Sequence, residues 1–323
     1  MPHDTRVVTP YPPLAIDCWF LTGPTAGGKT AVGIELARLI GAEVISLDSM
    51  SIYRGMDIGT AKPTAQERRI VPHHLIDVLG PYQEFSLSQY LHAAERCVRQ
   101  IRAGGREALF VGGTPLYLKG LLRGIFHGPP ADWGFRRRLE AEARRHEPGW
   151  LHRQLAEVDP AAASRLHPND IRRLIRALEV SRKTGQPIST LQRQFEIGRP
   201  ADQCRVFVLD WPREQLYRRI DQRVEQMFAA GLVDEVRGLL ARPWPLSKTA
   251  SQAVGYREVI DHLKSGISLE KTIELVKQHT RQFAKRQWTW FRSLSECRFV
   301  PVEEPLIPQE VARRIASTAF PPH

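Results

Sequence analysis

Glycines, a lysine and a hydroxyl group occur near the start of the chain at a spacing that suits phosphate chemistry. In "GPTAGGKT", Gly23, Gly28, Lys29 and Thr30 satisfy the pattern G-x-x-x-x-G-K-[ST]. Glycines let backbone N–H groups point inward around phosphate oxygens, Lys29 supplies a point charge, and the Thr30 hydroxyl is placed to ligate Mg²⁺. Apolar residues before the loop and a helical period after it predict a diphosphate- or nucleotide-binding loop between a strand and a helix. Its members are Gly23, Pro24, Thr25, Ala26, Gly27, Gly28, Lys29 and Thr30.

The acidic residue that would accompany such a loop is not where a phosphoryl-transfer enzyme usually has it. Those enzymes commonly hold Mg²⁺ with a carboxylate at the end of a second apolar strand. The corresponding run here, "ALFVGGT" at 108–114, ends in glycines and a threonine. Asp48 instead lies near the end of the strand-like "EVISLDS", and the carboxyl ends of parallel strands line the site in a doubly wound sheet. Asp48 is therefore a candidate general base or magnesium partner, with a turn or helix-cap aspartate as the alternative.

Apolar strands alternate with helical stretches from Ile16 to Gly124, which predicts a parallel sheet with helices on both faces. From about Gly134 to Thr190 the segments read as arginine-rich helices with no strand between them. The run "RVFVLDW" at 205–211 predicts a strand that returns the chain to the sheet. We therefore predict an α/β fold, a P-loop NTPase-like parallel sheet interrupted by an all-helical insertion domain. The predicted boundaries are 14–133 for the core, 134–200 for the insertion, 201–300 for the return to the core with C-terminal helices, and 301–323 for a C-terminal tail.

Composition limits the class of protein without deciding it. The 323 residues include 46 Lys and Arg against 35 Asp and Glu, a formal charge of +11, which suits a polyanionic partner but can also arise without one. The four cysteines lie far apart and form no C-x-x-C pair, which argues against a cysteine zinc site or a disulfide framework. We expect a cytoplasmic protein with no membrane partner, because no apolar run approaches ~18 residues and residues 1–13 show no signal-peptide pattern.

Two segments concentrate the positive charge. In "HPNDIRRLIRALEVSRK", apolar residues at helical spacing predict one buried face, and the arginines point elsewhere. That face consists of Ile171, Leu174, Ile175 and Leu178. In "QHTRQFAKRQWTWFR", basic residues alternate with aromatic ones and no acid is present. Arg281 and Lys285 share a helix face there and would repel each other unless an anion lies nearby. Either segment could also be a solvated helix face.

Seven segments in order resemble the tRNA dimethylallyltransferases, a family that prenylates an adenosine beside the tRNA anticodon. The matching residues are "GPTAGGKT" at 23–30, "ISLDSMSIYRGMDIGTAKP" at 45–63, "PHHLID" at 72–77, "VGGTPLYLKGLL" at 111–122, "HPNDIRRLIRALEV" at 167–180, "AVGYRE" at 253–258 and "TRQFAKRQWTWFR" at 280–292. They span about residues 15 to 295, with a slight departure at the Met50–Ser51 pair. The chain has no Cys/His spacing for the C-terminal zinc motif of some eukaryotic relatives, which favours a bacterial-type member.

The resemblance implies a reaction, a cofactor and catalytic residues. The dimethylallyl group of dimethylallyl diphosphate would pass to N6 of adenosine 37 of tRNA, releasing diphosphate, with Mg²⁺ as cofactor and Thr30 as its protein ligand. Lys29 and Arg223 would neutralise the diphosphate, although Arg219, one turn earlier, could also reach it. Asp48 would accept the amine proton or orient the amine.

The resemblance also implies that the anticodon stem-loop is held by both parts of a monomeric protein. Thr114 would sit near the adenine or act as the N-cap before Pro115, two roles that are compatible. The residues expected to bind tRNA are Asp48, Ser49, Met50, Ser51, Thr114, Arg136, Arg172, Arg173, Leu174, Ile175, Arg176, Gln252, Ala253, Val254, Gly255, Tyr256, Arg257, Arg281, Lys285 and Arg286.

Three other functions fit parts of the pattern. A prenyltransferase acting on free adenylate would use the same phosphate loop but would not need an arginine-rich insertion. A P-loop kinase for a small molecule would need the missing strand-end carboxylate. A nucleotide-gated RNA-binding protein would carry the basic segments without depending on Asp48 for catalysis.

Overall fold

The computed structural model describes residues 17–126, 128–192 and 198–319, and the chain divides into two compact units. The sheet unit comprises Leu14–Leu122 and Gly198–His323, and the helical unit includes Arg123–Ile197. The insertion was expected to start at residue 134, and the helical unit begins at residue 123. None of the helices in the described ranges is long and apolar enough to cross a membrane.

A six-stranded sheet forms the centre of the sheet unit, and each of its described pairings is parallel. The strands are β1 (Trp19–Thr22), β2 (Ala42–Ser46), β3 (His73–His74), β4 (Glu107–Val111), β5 (Val206–Asp210) and β6 (Cys297–Pro301). Their order across the sheet is β3-β2-β4-β1-β5-β6. The apolar runs of β1, β4 and β5 are almost entirely buried, as expected for strands covered on both faces. This arrangement confirms the predicted α/β class.

Helices connect the strands and make up the helical unit. The sheet unit contains α1 (Lys29–Ile40), α2 (Ala65–Ile70), α3 (Leu87–Ala103), α4 (Pro115–Arg123, which reaches the unit boundary), α10 (Arg213–Ala229), α11 (Leu232–Leu240), α12 (Lys248–Ser251), α13 (Tyr256–Ser265), α14 (Leu269–Arg292), α15 (Pro308–Ala319) and a 3₁₀ turn at Ala201–Gln203. The helical unit contains α5 (Trp133–Arg145), α6 (Trp150–Val158), α7 (Pro160–Ala163), α8 (Ile171–Thr184) and α9 (Ile188–Leu191). Ser86 is the N-cap of α3 and forms a reciprocal capping box with Gln89.

The segment after residue 300 is part of the core, so its prediction as a tail is wrong. The strand β6, which was not predicted from the sequence, pairs with β5, and α15 packs against α1. Val311, Ala312 and Ile315 of α15 are buried in the same apolar cluster as Trp19 and Leu36. These positions follow the helical spacing i, i+1, i+4, a pattern too short to stand out between prolines and charged residues.

The helical unit has its own apolar core, which buries most of the predicted face of α8. Leu174 and Ile175 are buried and Leu178 packs against the cluster. Ile171 is 37 % exposed, so its prediction as buried is wrong, because it opens the helix beyond the reach of that core. The burial of Leu174 and Ile175 also corrects their assignment to the tRNA contact, since their side chains are part of this core and are not on the surface.

A buried carboxylate organises the basic side of the helical unit. Glu179 is fully buried and accepts hydrogen bonds from Arg136 Nη2 at 2.6 Å, Arg176 Nη1 at 2.5 Å and the Asp132 backbone N at 2.6 Å. Burial by itself would raise the pKa of Glu179, but these hydrogen bonds lower it to about 2. Arg136 and Arg176 therefore balance an internal charge, and their contact with tRNA stays a prediction.

We predict that Glu179→Gln destabilises the protein in a pH-dependent way. The pKa of Glu179 is about 2 when folded and 4.5 as an unperturbed side chain, so its contribution is present above pH 4.5 and is lost as the pH falls toward 2. The difference in free energy of unfolding between wild type and variant should be about 3 kcal/mol at pH 7 and should shrink below pH 4.5. Urea denaturation followed by circular dichroism measures it.

The matched control is Glu142→Gln, which alters a glutamate that is 44 % exposed on α5 of the same unit. It should change stability by well under about 1 kcal/mol. Equal stability of wild type and Glu179→Gln at pH 7 would contradict the stabilising role assigned to this carboxylate.

Candidate active site

The glycine-rich loop joins β1 to α1 in a conformation that exposes backbone N–H groups at a helix N-terminus. Gly28, with φ of 79°, is the N-cap of α1 and carries no side-chain cap, and Ala26 also has a positive φ of 60°. The positive φ of Gly28 favours glycine there, and a Cβ would displace the end of the Leu306 side chain. The start of α1 adds a partial positive charge to the loop, which favours an anion.

Side chains from distant parts of the chain hold this loop from outside. Trp211 Nε1 donates to Gly27 O at 3.0 Å, and Arg219 Nε donates to Ala26 O at 3.0 Å. The Arg219 guanidinium also lies 4.4 Å from the centre of the Trp211 ring. Arg219 is thus occupied in supporting the loop, which leaves Arg223 as the better candidate to meet a diphosphate.

A cavity of about 640 Å³ opens beside the loop, entirely within the sheet unit. Its walls come from the phosphate loop, Asp48 after β2, the residues after β4, Arg223 of α10 and the middle of α14. This volume lies within the usual range for ligand pockets, about 300–1,000 Å³. The carboxyl ends of β1, β2 and β4 therefore meet at one cavity, as predicted for a doubly wound sheet.

Lys29 and Arg223 share this cavity with Asp48. Lys29 Nζ donates to Pro24 O at 2.6 Å, and burial, followed by repulsion from Arg223, lowers the pKa of Lys29 to about 7 while Asp48 opposes the shift. Burial also lowers the pKa of Arg223, with Asp48 raising it and Arg219 lowering it. An anion bound between Lys29 and Arg223 would relieve their repulsion and restore the full charge of Lys29.

Asp48 is held at the cavity by a link between two strand ends. Its Oδ1 accepts from Met50 N at 2.7 Å, which fixes the turn after β2. Ser49 N donates to Thr114 Oγ1 at 3.1 Å, and Thr114 N donates to Leu47 O at 3.1 Å. The Thr114 hydroxyl thus fastens the Asp48 turn to the end of β4.

Gln287 is a positioning side chain that was not predicted from the sequence. It is buried on α14, where its Oε1 accepts from Thr25 N at 2.9 Å and its Nε2 donates to Gly113 O at 2.6 Å. One amide therefore joins the phosphate loop to the residues after β4. The sequence does contain a sign of this role, because Gln287 is a polar residue on the apolar face of its helix. Ala284, Gln287 and Phe291 follow the spacing i, i+3, i+7, and all three are buried.

The glycines after β4 explain why no carboxylate stands there. A Cβ on Gly112 would overlap the backbone of Leu47. A Cβ on Gly113 would lie 2.6 Å from Gln287 Nε2 and 3.5 Å from Lys29 Nζ. A side chain at position 112 would meet the Leu47 backbone, and one at position 113 would displace the Gln287 amide, so this packing disfavours the acidic residue of a phosphoryl-transfer site.

The segment between Asp48 and β3 is folded around a buried lysine. Lys62 Nζ donates to Tyr53 O at 2.7 Å, to Asp57 Oδ1 at 2.5 Å and to Asp77 Oδ1 at 2.7 Å. Arg68 Nη1 donates to the other oxygen of Asp77 at 2.7 Å. Burial would raise the pKa of Asp77, but the hydrogen bonds from Lys62 and Arg68 lower it. A buried ammonium with its charge balanced in this way fixes the wall that follows Asp48.

Tyr256 lines the cavity and also has a structural role, and its contact with tRNA stays a prediction. It is fully buried, and its hydroxyl donates to Glu235 Oε1 at 2.6 Å. The Glu235 carboxylate also accepts from the backbone N of Asp57 at 2.9 Å and Ile58 at 2.8 Å. Tyr256 and Glu235 therefore anchor α11 and α13 to the segment that carries Asp48.

The remaining residues expected to bind tRNA fall into three groups. Those that line the cavity are Asp48, Ser49, Met50, Ser51, Thr114, Gln252, Ala253, Val254, Gly255 and Arg286. In the second group, Arg257 Nη2 donates to Glu258 at 2.6 Å, and Arg281 Nη1 donates to Asp221 at 2.5 Å. Asp221 is thus an anion beside Arg281, as expected from the repulsion between Arg281 and Lys285 on one helix face. On the helical unit, Arg172 and Arg173 are exposed, and Arg173 pairs with Asp170 at 3.0 Å.

A phosphate-binding loop at the carboxyl edge of a parallel sheet defines a P-loop-type α/β protein with an inserted helical unit. The family model "IPP transferase" matches residues 51–294, and "Isopentenyl transferase" matches residues 16–74. The chain therefore belongs to the IPP transferase family, whose members include the tRNA dimethylallyltransferases.

Individual relatives match along most of the chain. The tRNA dimethylallyltransferase of Rhodopirellula baltica is 50% identical over 306 residues, covering 92% of this chain and 91% of the relative. That of Geobacter metallireducens is 47% identical over 274 residues, covering 85% and 89%. The solved tRNA isopentenylpyrophosphate transferase of Bacillus halodurans aligns with a TM-score of 0.67 at 38% identity, covering 94% and 96%. The solved structure of a eukaryotic dimethylallyltransferase acting on tRNA aligns with a TM-score of 0.73 at 26% identity. The alignment covers 93% of this chain and 77% of that protein.

We predict that Gln287→Leu weakens the binding of inorganic pyrophosphate about tenfold. Leucine keeps most of the volume but removes both hydrogen bonds, each worth about 1 kcal/mol, that hold Thr25 and Gly113 in register. Isothermal titration calorimetry gives the dissociation constant. The control, Gln282→Leu, changes an exposed glutamine of the same helix and should leave the constant unchanged. Wild-type affinity in Gln287→Leu would show that the loop keeps its shape without this amide.

Proposed function

We propose that this protein transfers the dimethylallyl group of dimethylallyl diphosphate to N6 of adenosine 37, beside the anticodon of tRNA, and releases diphosphate. The observation that carries the proposal is the cavity in which Lys29 and Arg223 face Asp48 while the end of β4 carries no acid. The cations suit a diphosphate and the carboxylate suits an amine that loses a proton. Relatives named tRNA dimethylallyltransferase support the same reaction.

The reaction sets three tasks for the site. The adenine amine is a weak nucleophile, because its lone pair is delocalised into the ring. A bond forms between N6 and the allylic C1, the C1–O bond breaks with its electron pair passing to diphosphate, and N6 loses a proton. The site must align N6 with C1, stabilise the charge on diphosphate and receive the proton.

The phosphate loop and its cations perform the second task, and Asp48 the third. Backbone N–H groups at the start of α1, together with Lys29 and Arg223, stabilise the negative charge that develops on the leaving group. Asp48 accepts the hydrogen bond of the adenine amine and then its proton. With Oδ1 engaged by Met50 N, the carboxylate is oriented before the base arrives.

Mg²⁺ fits this site as a partner of the substrate. The described residues include no cluster of three or more His, Cys, Asp or Glu side chains that could hold a metal. Mg²⁺ prefers oxygen donors and commonly binds through one or two protein groups plus substrate phosphates. Thr30, which lines the cavity at the start of α1, would supply the protein oxygen. The ion would add positive charge beside the departing diphosphate.

The partner of the helical unit is the tRNA anticodon stem-loop. Arg172 and Arg173 present exposed charge at the start of α8, which suits backbone phosphates. The target adenine lies in a single-stranded loop and can be splayed out at a cost of a few kcal/mol. We propose a monomeric enzyme, because one chain carries every named group, and a cytoplasmic location, because the proposed substrate is tRNA.

The competing functions are separated by one substrate test. Wild-type protein incubated with labelled dimethylallyl diphosphate and Mg²⁺ should label an unmodified anticodon stem-loop and leave AMP unlabelled. Labelling of AMP alone would favour the free-adenylate enzyme, and rapid ATP turnover without prenylation would favour a kinase. Failure to label either acceptor would reject the proposed transferase.

Asp48→Ala tests the catalytic role of the carboxylate. We predict a fall in kcat of about 10²- to 10⁴-fold, the usual contribution of a general base, with little change in the affinity for tRNA. The control is Asp234→Ala, since Asp234 is an exposed aspartate of α11. A variant of Asp48 that binds tRNA and retains the wild-type kcat would show that the carboxylate takes no part in the reaction.

Arg172→Ala tests the RNA-binding surface of the helical unit. Loss of one phosphate contact should weaken binding of the stem-loop and reduce the slope of log K against log salt by about one. Arg281→Ala should change the slope less, because Arg281 is already paired with Asp221. Arg99→Ala, an exposed arginine of α3, serves as the control. An unchanged slope in Arg172→Ala would remove this helix from the interface.

A further inference from the structure

Two large aromatic rings stand exposed side by side on the sheet unit. Trp244 is 65% exposed and Tyr82 is 50% exposed, and their ring centroids lie 6.4 Å apart at an interplanar angle of 40°. Aromatic side chains contribute strongly to stability when buried, so leaving a neighbouring pair in water forgoes that gain. We call Tyr82 and Trp244 the aromatic platform.

Residues near the aromatic platform in sequence restrict the backbone that carries it. Pro243 and Pro245 flank Trp244, and they fix their own φ angles and restrict the tryptophan backbone to extended conformations. Tyr82 lies against the backbone of Gly80, where any Cβ would overlap the ring. Preorganised aromatic groups lose little entropy when a ligand binds to them.

Hydrogen bonds fasten the two platform loops to each other and to the cavity wall. Ser247 N donates to Pro81 O at 2.8 Å. The Glu84 carboxylate accepts from Lys248 N at 2.9 Å and from Thr249 Oγ1 at 2.7 Å. Thr249 is itself one of the residues that line the active-site cavity. The aromatic platform therefore belongs to the same fastened pair of loops as part of the cavity wall.

The segment that carries Trp244 also carries positive charge. It begins where α11 ends, and Arg242 and Lys248 lie on either side of the tryptophan with exposed side chains. The acidic Glu84 of the facing loop is engaged by Lys248 N and Thr249. Rigid aromatic faces with neighbouring cations are the features that bind single-stranded nucleic acid, in which bases stack and phosphates meet the charges.

A third cation lies beside the loop that leads to Tyr82. Arg54 is exposed, its backbone N donates to Leu79 O at 2.8 Å, and its Nε donates to Asp77 O at 2.8 Å. Arg242 reaches toward the adjacent Gly55, where a Cβ would lie 2.6 Å from its Nη2. Arg54 and Arg242 thus bring two guanidinium groups to the loops of the aromatic platform.

We propose that Tyr82 and Trp244 form a stacking platform for one unpaired nucleobase of the RNA substrate, a neighbour of the target adenosine. The inference rests on the proposed function, because a target base in the cavity brings the adjoining nucleotides to its rim. Unpaired bases of an RNA loop stack readily on aromatic side chains, and this contact tolerates any base. The platform would hold the loop open while the target base occupies the cavity.

The test is a double-mutant cycle between the protein and the RNA. Dissociation constants at fixed salt are measured for wild type, Trp244→Ala and Trp244→Phe with the intact stem-loop. They are measured again with stem-loops that are abasic at one unpaired position beside the target. Trp244→Ala should bind the intact loop roughly tenfold more weakly, as for one lost base stack, and Trp244→Phe should stay within about threefold. One abasic position should weaken wild type by a similar factor and Trp244→Ala very little further.

Two further variants complete the design. Tyr82→Ala should weaken binding in the same direction as Trp244→Ala. Leu39→Ala, which truncates a side chain on α1 that is 52% exposed, should bind like wild type. Wild-type affinity of Trp244→Ala for the stem-loop would overturn the proposed platform. The platform would also be overturned if the losses caused by Trp244→Ala and by an abasic nucleotide were additive at every position tested. Either result would leave the exposed aromatic pair as a surface for a protein partner. If wild type prenylates the intact loop in the same experiment, such a failure concerns the platform alone; if it forms no product, the proposed function fails instead.

Discussion

Lys29 and Arg223 repel each other in a cavity that also removes them from water. Burial, the larger effect, and then Arg223 lower the pKa of Lys29 to about 7, with Asp48 as the opposing charge. Such an arrangement is unfavourable in the free protein and becomes favourable when a polyanion enters. The fold must therefore hold Lys29 and Arg223 close together although they repel each other. Many contacts in the sheet unit contribute to holding them there.

The support comes from residues that touch the loops rather than the ligand. Trp211 and Arg219 bind carbonyl groups of the phosphate loop, and Gln287 joins that loop to the end of β4. On the opposite wall, Lys62 and Glu235 organise the segment after Asp48 through hydrogen bonds to its backbone and carboxylates. Because the protein forms these contacts by itself, the cavity is organised before the substrates bind, and little reorganisation remains for the reaction itself.

Local patterns in the sequence predicted β1, β2, β4 and β5, the phosphate loop and the helical insertion, because each depends on residues close together in the chain. The contacts that arrange the site depend on residues far apart, such as Thr25 and Gln287, which are 262 positions from each other. No spacing rule connects such a pair. The same limit explains the arginines of the helical unit, since only the fold shows that Arg136 and Arg176 surround Glu179. The helix α15 was not predicted because it has few apolar positions, and their burial depends on packing against α1.

The glycines after β4 connect this packing to the type of bond that breaks. Gly112 lets the Leu47 backbone approach so closely that no side chain fits there, and Gly113 makes room for the Gln287 amide. Enzymes that transfer a phosphoryl group commonly have a carboxylate at this strand end to hold Mg²⁺. Departure of an intact diphosphate requires only that its negative charge be neutralised. The carboxylate of Asp48, after β2, lines the cavity instead, and our proposal assigns it to the adenine amine. The same phosphate loop that supports cleavage of phosphorus–oxygen bonds in other proteins thus supports cleavage of a carbon–oxygen bond here.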